Sequence, residues 1–311
     1  MTVSEIRAII MMNRKSHKYK NVHERVLFLY QGAAMIEFKS FYKDVQGNEG
    51  NKCHYSTRLD TYGCGCAHNC KYCYARSLLE FRGMWNPYNP SVGDVKEIQR
   101  TIRKIQPGTV IRLGGMTDCF QPAEQVYRLT YKTVKWLNRR GIHYLIVTKS
   151  ALVADDEYMS IFDKDLAHIQ VSVTATDDAK ALEYENASKI SDRIAAIEKL
   201  QKGGFDVALR LSPFIPQFID FDKLNRVECD KILVEFLRCN AAIRQVFPID
   251  YSEYTVKQSG YRHLPLKKKI QYIEKITGFE QMSVCEDESR AYWYWKTSLN
   301  HNPDDCCNLR K

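Results

Sequence analysis

The sequence has no long apolar stretch. No run reaches the roughly eighteen apolar residues that a membrane-spanning helix needs, and the charged, polar start through Lys20 contains no apolar signal segment. The chain also has no internal repeat and no low-complexity segment. These absences argue against a membrane protein and a secreted protein, and they predict a cytoplasmic chain without membrane contact.

The composition allows a substantial core but does not identify a partner. A chain of 311 residues with 44% hydrophobic residues can bury the core of one large domain or of two modest ones. The net charge of +9 favours polyanionic partners such as nucleic acid, although proteins that bind phosphate-bearing cofactors often have the same balance. Aromatic residues make up 12% of the chain, and they serve either as core or as surfaces on which bases stack.

The cysteines are numerous but do not form a disulfide pattern. Their number is eleven, which is odd, and the polar start of the chain is typical of a protein of the reducing cytoplasm. Cys66, Cys70 and Cys73 have the spacing Cys-x3-Cys-x2-Cys, with Tyr72 and Tyr74 on either side of the last cysteine. Three thiolates this close together can hold one soft-metal site. An iron–sulfur cluster held by three cysteines keeps one iron open to another molecule.

Zinc is the alternative metal for this loop. A structural zinc site uses four ligands in a closed tetrahedron, commonly supplied by two separated Cys-x2-Cys pairs. Cys64 and His68 are available to complete such a set here, but the ligands would be crowded into one short loop. The spacing therefore favours the cluster over zinc, and both over a disulfide.

Strand and helix signals alternate from about residue 95 to residue 249. Short apolar segments predict strands at 109–113, 143–148, 169–174, 205–211 and 244–249. The segments between them predict helices at 95–105, 123–140, 155–162, 191–202 and 222–239. With one strand just before the cysteine loop, this order predicts an α/β fold. We expect a partial (β/α)6 barrel of the TIM type, with its chemistry in the loops after the strands.

The partial barrel is predicted to span residues 56–255. Residues 1–55 are expected to form an N-terminal extension that packs on this core, with an apolar patch at 25–30 and a loop at 47–50. Residues 256–311 are expected to form a C-terminal cap with a helix at 266–276, an aromatic run at 291–296 and several cysteines. That aromatic run is interpreted either as a plug over the barrel or as a base-stacking surface.

The cysteine loop and the Gly114-Gly115 pair resemble the radical S-adenosylmethionine (radical SAM) superfamily. The resemblance covers roughly residues 58–220 and extends to its spore photoproduct lyase-like branch through segments 117–124, 148–150, 171–173 and 211–216, Glu183 and the Arg193 helix. It implies a [4Fe–4S] cluster on Cys66, Cys70 and Cys73, with S-adenosylmethionine on the fourth iron. It further implies reductive cleavage of that molecule to a 5′-deoxyadenosyl radical, which abstracts hydrogen from a substrate.

The resemblance also implies where S-adenosylmethionine binds around the cluster. Tyr72 is expected near the adenine, with ordinary packing as its alternative role, and Gly114 and Gly115 are expected to contact the methionyl amine. The family's usual Glu after the diglycine is Met116 here, so the amine partner is left to two further candidates, Thr117 and Asp118.

Two more polar residues are candidates for the cofactor through the same resemblance. Ser172 is expected to hydrogen-bond the ribose or the carboxylate, and Arg193 to pair with the carboxylate as a charge-assisted fork. For each, the alternative is a structural polar group satisfied within a crowded barrel.

The remaining cysteines supply two further hypotheses. Cys119 lies near a strand end and is a candidate hydrogen donor, although it does not align with the donor cysteine of the lyases. Cys285, Cys306 and Cys307 are candidates for an auxiliary iron–sulfur cluster, with Cys53 or Cys64 as a further ligand. The alternative for the C-terminal cysteines is a group of buried free thiols. Adjacent cysteines are strained as ligands of one cluster, so one of the last pair would then be a spectator.

The sequence therefore predicts a radical SAM enzyme, a lyase or a catalyst of another radical reaction, acting on an unidentified substrate for which DNA is a candidate. We expect an electron donor such as flavodoxin or ferredoxin. The rival hypothesis is a non-catalytic nucleic-acid-binding module built on zinc or an iron–sulfur cluster.

Overall fold

The computed structural model describes residues 37–38, 42–44 and 52–310. In chain order its strands are β1 (Glu37–Phe38), β2 (Tyr42–Asp44), β3 (Thr57–Leu59), β4 (Tyr62–Gly63), β5 (Ser91–Gly93), β6 (Val110–Leu113), β7 (His143–Thr148), β8 (Ala167–Val173), β9 (Asp206–Phe214), β10 (Lys231–Phe236), β11 (Val256–Gln258), β12 (Tyr261–His263) and β13 (Gln281–Val284). Its α-helices are α1 (Tyr74–Phe81), α2 (Val95–Ile102), α3 (Ala123–Tyr127), α4 (Leu129–Arg139), α5 (Asp156–Met159), α6 (Asp178–Leu182), α7 (Ile190–Lys202), α8 (Phe221–Leu224), α9 (Ala241–Val246), α10 (Leu266–Ile273) and α11 (Ser289–Ser298).

The centre of the fold is an open sheet of eight strands in the order β13-β10-β9-β8-β7-β6-β3-β2. Every neighbouring pair from β3 to β13 is parallel, and only the edge strand β2 runs antiparallel, to β3. The predicted α/β fold with a partial barrel is therefore confirmed, with seven parallel strands and no closure of the sheet among the described residues.

Burial explains why the central strands read as apolar runs. All seven residues of β8 are buried, because a parallel sheet with helices on its outer face and side chains packed within its curve leaves neither face to water.

The helices are delimited by local signals: the side chain of Asp94 accepts a hydrogen bond from the Glu97 N–H and so caps α2. The parallel strands all end at one edge of the sheet, and the loops that follow them meet there.

Two sequence-based assignments of secondary structure were wrong. The predicted helix at 222–239 contains β10, because the apolar segment 231–236 fits between β9 and β13 in the sheet. The predicted strand at 244–249 is not formed: residues 244–246 are the end of helix α9, which begins where Asn240 caps the Ile243 N–H. The predicted helix at 123–140 is divided into α3 and α4 by Arg128, whose φ is +54°.

The C-terminal segment contributes to the same sheet. Strand β13 comes from the predicted cap and pairs with β10 in parallel, so it supplies the seventh parallel strand that sequence reasoning missed. The division into three domains stays a prediction, and within the extension the patch at 25–30 and the loop at 47–50 lie outside the described residues. No helix in the described part of the chain is long and apolar enough to span a bilayer.

Candidate metal centre and cofactor cavity

A cavity of about 220 Å³ opens at the carboxyl ends of the parallel strands. Its wall is built from the cysteine loop, from the loops after β6 and β7, and from the last residues of β8, β9, β10 and β13. Of the predicted site residues, those that line it are Cys66, Cys70, Tyr72, Cys73, Gly114, Gly115, Thr117, Asp118, Ser172, Cys285 and Cys306. The structure thus brings together most of the candidates.

The three cysteines of the loop face this cavity together. The loop connects β4 to α1, and Cys73 is the residue that precedes the helix. Two tight turns fold it, in which the Asn69 N–H donates to the Cys66 carbonyl at 3.0 Å and the Cys73 N–H to the Cys70 carbonyl at 3.2 Å. Gly65 allows the entry to the loop, because a Cβ there would lie 2.0 Å from the Asn86 carbonyl oxygen.

Neighbouring elements fix the backbone of the loop. The Ala67 N–H donates to Gln121 Oε1 at 2.9 Å, and the Lys71 N–H donates to the Tyr184 carbonyl at 2.9 Å. The His68 carbonyl accepts from the Asn186 N–H at 2.7 Å. The loop is therefore held from two sides before any metal binds.

The surroundings of the three sulfurs suit an anionic metal–thiolate group. Burial raises the pKa of the Cys66 thiol to about 12 and raises the pKa of Cys70 and Cys73 as well, so the uncharged thiols are favoured when no metal is bound. The Lys149 ammonium lies close to Cys70 and Cys73 and would offset the negative charge of thiolates. Backbone N–H groups of Asp118 and His68 face Cys66.

The spacing of the ligand atoms separates a cluster from a single zinc ion. Three ligands of a single metal ion must have their ligand atoms close together. Among the described residues, His263, Glu286 and Asp287 have ligand atoms that all lie within 4.8 Å of one another, whereas no three cysteines do. Sulfurs bound to one zinc ion at 2.3 Å lie only about 4 Å apart. Cys64, the fourth ligand of the zinc hypothesis, does not line the cavity. The residues present therefore fit a cluster on three cysteines.

The diglycine lies at the end of β6, beside the cysteine loop. Gly114 has a φ of +76°, and a Cβ there would lie 2.8 Å from the Thr117 carbonyl oxygen. The Gly115 N–H donates to Asp60 Oδ1 at 2.6 Å, and the Tyr74 hydroxyl donates to the Gly115 carbonyl at 2.8 Å. A Cβ at Gly115 would lie 2.1 Å from Cδ of Arg58, so the absence of side chains at the diglycine lets neighbouring protein atoms pack directly on the backbone at the cavity wall.

Asp118 connects three loops at the cavity wall. Its carboxylate accepts hydrogen bonds from the Thr148 hydroxyl at 2.8 Å and the Lys149 N–H at 2.7 Å, and it lies 3.3 Å from His68 Nδ1. Burial alone would raise the pKa of Asp118, but His68 and the backbone N–H donors outweigh it and lower the pKa to about 2. Thr117 is also engaged, since its hydroxyl donates to the Tyr62 carbonyl at 2.6 Å.

Tyr72 lies between the cavity and a buried ion pair. Its hydroxyl donates to Glu185, which also receives the Thr174 hydroxyl at 3.1 Å and the guanidinium of Arg193. Cys70 Sγ lies 3.9 Å from the same carboxylate. Burial would raise the pKa of Glu185, but Arg193 and Lys149 keep it below its ordinary value.

Three candidates do not line the cavity: Cys307, which lies beside Cys306, and the two residues Arg193 and Cys119. Arg193 is fully buried, and its other nitrogens donate to the Ser188 carbonyl at 2.7 Å and the Ser172 carbonyl at 3.0 Å. Its hydrogen bonds are thus made to protein oxygens. Cys119 is 1% exposed within the core, and its thiol is directed at the Leu113 carbonyl at 3.8 Å. Neither Arg193 nor Cys119 therefore has the position that its predicted role requires.

Several residues in or next to the cavity were not predicted from the sequence. Lys149 follows directly after β7, so its place at a strand end was a usable signal. Glu185 was overlooked in favour of Glu183, which is exposed and pairs with Lys180. Arg210 and Glu235 pair across β9 and β10 at 2.5 Å, and only the register of the sheet brings them together.

Comparison with protein families and known proteins agrees with this arrangement. A family model described as the radical SAM superfamily matches residues 61–220. A protein of Methanocaldococcus jannaschii, known only as uncharacterized, is 30% identical over 217 residues, which cover 64% of this chain and 80% of that protein. The range that the family model matches includes the cysteine loop and strands β6 to β9.

Two more distant relatives are also known only as uncharacterized proteins. One, from Acidianus two-tailed virus, is 24% identical over 50% of this chain and 55% of its own length. The other, from Mycobacterium tuberculosis, is 26% identical over 50% of this chain and 49% of its own. The chain thus spans about half the length of these two relatives.

Solved structures of spore photoproduct lyase have the same fold. A variant with bound AdoMet and dinucleoside spore photoproduct superposes with a TM-score of 0.58 at 14% identity, covering 88% of this chain and 87% of the lyase chain. A second variant gives a TM-score of 0.60 at 14% identity. At this identity the likeness is one of fold, and it extends beyond the part of the chain that the family model matches.

Proposed function

Because the chain belongs to the radical SAM superfamily, we propose that it is an enzyme that cleaves S-adenosylmethionine reductively and uses the resulting 5′-deoxyadenosyl radical to abstract hydrogen from a substrate. The observation that carries the proposal is the meeting of Cys66, Cys70 and Cys73 with Gly114 and Gly115 at one cavity. We propose that the electron comes from a small carrier such as a flavodoxin or a ferredoxin.

We propose that the three cysteines hold a [4Fe–4S] cluster. The chemistry that it supplies when bound is one electron, which breaks a C–S bond of the sulfonium and leaves methionine and the adenosyl radical. The fixed backbone of the loop orients the thiolates, and Lys149 offsets their charge. Tyr72, held by Glu185, provides a rigid wall on which the adenine can pack.

We propose that the diglycine and its neighbours orient the cofactor. The backbone at Gly114 and Gly115 can approach the methionyl group, and Ser172 faces the same cavity with a hydroxyl suited to the ribose or the carboxylate. Asp118 shapes this wall by joining the three loops and is already saturated with donors. The position of the cavity inside a curved sheet keeps water and stray hydrogen donors away from the radical.

The test is cleavage of S-adenosylmethionine by the anaerobically reconstituted chain reduced with dithionite. We expect 5′-deoxyadenosine and methionine in equal amounts, loss of both in Cys70→Ala, and retention in the matched control Cys64→Ala, because Cys64 lies outside the cavity. A fully loaded cluster that yields no 5′-deoxyadenosine would contradict the proposal. Zinc without iron or sulfide in the anaerobically purified chain would favour the non-catalytic module instead.

We further propose nucleic acid as the substrate class. In support, the chain carries a net charge of +9, and Tyr292 on α11 lines the cavity with the Lys52 ammonium 4.8 Å from its ring centre. Trp293, next to it, is 60% exposed, which leaves its face free for a base. The similarly folded lyase was solved with a dinucleoside bound.

Binding of single-stranded DNA and RNA tests the substrate class. Affinity should fall steeply between about 50 and 200 mM salt if basic residues contact phosphates. Trp293→Ala should weaken binding, whereas Phe81→Ala, which removes an even more exposed aromatic ring elsewhere, should not. Absence of binding at low salt would exclude the nucleic-acid proposal while leaving the cleavage proposal intact.

A further inference from the structure

Four cysteines from three distant segments lie together at one side of the cofactor cavity. The thiol of Cys306 lies close to those of Cys285 and Cys307, and Cys53 lies near both Cys285 and Cys307. All four are free thiols. Cys53, Cys285 and Cys306 line the same cavity as the cysteine loop. This second group is separate from Cys66, Cys70 and Cys73 in sequence and in the elements that carry it.

The group lies within the curve of the sheet. Cys307 packs against Leu145 of β7 and Leu233 of β10, with Cys285 and Cys306 beside them. Cys285 directly follows β13, and its N–H donates to the Val234 carbonyl at 2.8 Å. The sulfurs are therefore enclosed by strands rather than displayed on the surface.

A dedicated turn presents the two adjacent cysteines. Asp305, which is 2% exposed, accepts hydrogen bonds from the Tyr55 hydroxyl at 2.5 Å and from the Cys307 N–H at 3.0 Å. Asn308, which follows Cys307, has a φ of +51°, and its side chain donates to the Ser283 hydroxyl at 3.0 Å. The turn is thus tied both to the segment that carries Cys53 and to the strand that ends before Cys285.

Positive charge and unused donors surround the four sulfurs. The guanidinium of Arg112 lies near Cys53, and that of Arg210 near Cys285 and Cys307. The amide of Gln170 faces Cys307. Arg112 Nε and Gln170 Nε2 are buried and lack a hydrogen-bond partner. Because an unpaired buried donor is costly, these groups favour an occupant that is anionic and rich in acceptors.

We propose that Cys53, Cys285, Cys306 and Cys307 ligate a second iron–sulfur cluster. The bridging sulfides would accept the hydrogen bonds that Arg112 and Gln170 leave unmade, and the guanidinium groups would offset its charge. A single zinc ion fits less well, because among the described residues no three of these sulfurs all lie within 4.8 Å of one another. Cys306 and Cys307 would bind different irons of the cluster, so this proposal uses both residues and departs from the expectation that one of the pair is a spectator.

This cluster differs in kind from the one proposed on Cys66, Cys70 and Cys73. Four cysteines occupy all four irons of a [4Fe–4S] group, so none stays open to S-adenosylmethionine. The inference does not depend on cleavage of that molecule, since it rests on a separate ligand set.

Metal analysis of variants tests the second cluster without any assay of activity. The triple variant Cys66→Ala, Cys70→Ala, Cys73→Ala should retain about four irons and four sulfides per chain after anaerobic reconstitution, about half the content of the unmodified chain. Adding Cys285→Ala and Cys306→Ala should remove them. Cys229→Ala in the same triple background is the matched control, because this buried cysteine lies apart from the cavity.

The triple variant tests the proposal even if the variant with all five Cys→Ala substitutions fails to fold. A triple variant that folds, as judged by circular dichroism, but retains no iron would overturn the proposal, as would zinc in place of iron and sulfide. The reduced triple variant should also give an electron paramagnetic resonance signal that S-adenosylmethionine leaves unchanged. A signal altered by that molecule would contradict ligation of every iron by cysteine.

Discussion

Glu185 connects the cysteine loop to buried residues of the core. Its carboxylate receives Tyr72, Thr174 and Arg193, and it lies beside Cys70. Arg193 in turn is fully buried and does not line the cavity, although the resemblance implied a direct role with the cofactor. At the residue scale, Arg193 is therefore a positioning residue that acts through Glu185.

Replacing Arg193 with Gln should lower the free energy of unfolding by about 3–5 kcal/mol, because Glu185 would keep a buried charge without its partner. Urea unfolding measures this loss. The double variant Arg193→Gln, Glu185→Gln should be more stable than the sum of the single changes predicts, since it removes both charges. Unchanged stability with a weakened affinity for S-adenosylmethionine would instead support direct contact with the cofactor.

The residues that sequence reasoning found share a local signal. Cys66, Cys70 and Cys73 are recognisable from spacing alone, and the diglycine from its place after a strand. Glu185 is not, because it lies in the loop between α6 and α7 and its role depends on contacts with Tyr72 and Arg193 from other parts of the chain. Cys119 illustrates the same limit: a strand end places the residue, but local packing turns its thiol toward the Leu113 carbonyl.

At the scale of elements, the turn after β6 brings a glycine backbone against the loop of Asp118. Gly114 has a positive φ, and Gly108, at the other end of the same strand, also has one, of +79°. A Cβ at Gly108 would meet nothing within 4 Å, whereas at Gly114 it would lie 2.8 Å from the Thr117 carbonyl oxygen and 3.2 Å from the Cys119 nitrogen. Substitutions at Gly108 and Gly114 therefore distinguish the free-energy cost of a positive φ from the cost of a steric clash.

Gly108→Ala should cost about 1–2 kcal/mol, the penalty for a left-handed residue alone. Gly114→Ala should cost more and should also weaken the binding of S-adenosylmethionine, because the turn must shift at the cavity wall. Thermal unfolding and equilibrium dialysis with the reconstituted chain measure the two effects. Equal losses of stability in both variants, with unchanged cofactor affinity, would show that the diglycine only makes a turn.

At the scale of the whole molecule, the C-terminal tail is part of the barrel. Sequence reasoning predicted the alternation of strands and helices and five of the parallel strands, since those signals are local, but it assigned β10 to a helix. It assigned the last segment to a cap, because a four-residue strand such as β13 and the meeting of Cys53 with Cys307 depend on contacts between distant parts of the chain. The proposed second cluster would strengthen this joining of the two ends of the described chain.

Asp206, the first residue of β9, connects the C-terminal tail to the sheet. Its carboxylate accepts from His168 Nδ1 at 2.6 Å, from the Lys231 ammonium at 2.7 Å and from the Arg310 N–H at 2.8 Å. Burial alone would raise its pKa, but these donors lower it to about 2. A depressed pKa in the folded state means that this carboxylate stabilises the fold above the pKa of the unfolded chain, near 4, and that the contribution is lost as the pH falls toward 2.

Asp206→Asn should therefore destabilise the chain by about 2 kcal/mol at neutral pH, and the difference from the unmodified chain should shrink between pH 4 and pH 2. Denaturant unfolding at several pH values measures it. Asp156→Asn, at an exposed carboxylate paired with Lys199, should change stability little at any pH. If the Asp206 variant lost the same amount at pH 2 as at pH 7, the ionised carboxylate would not be what ties the tail to the sheet.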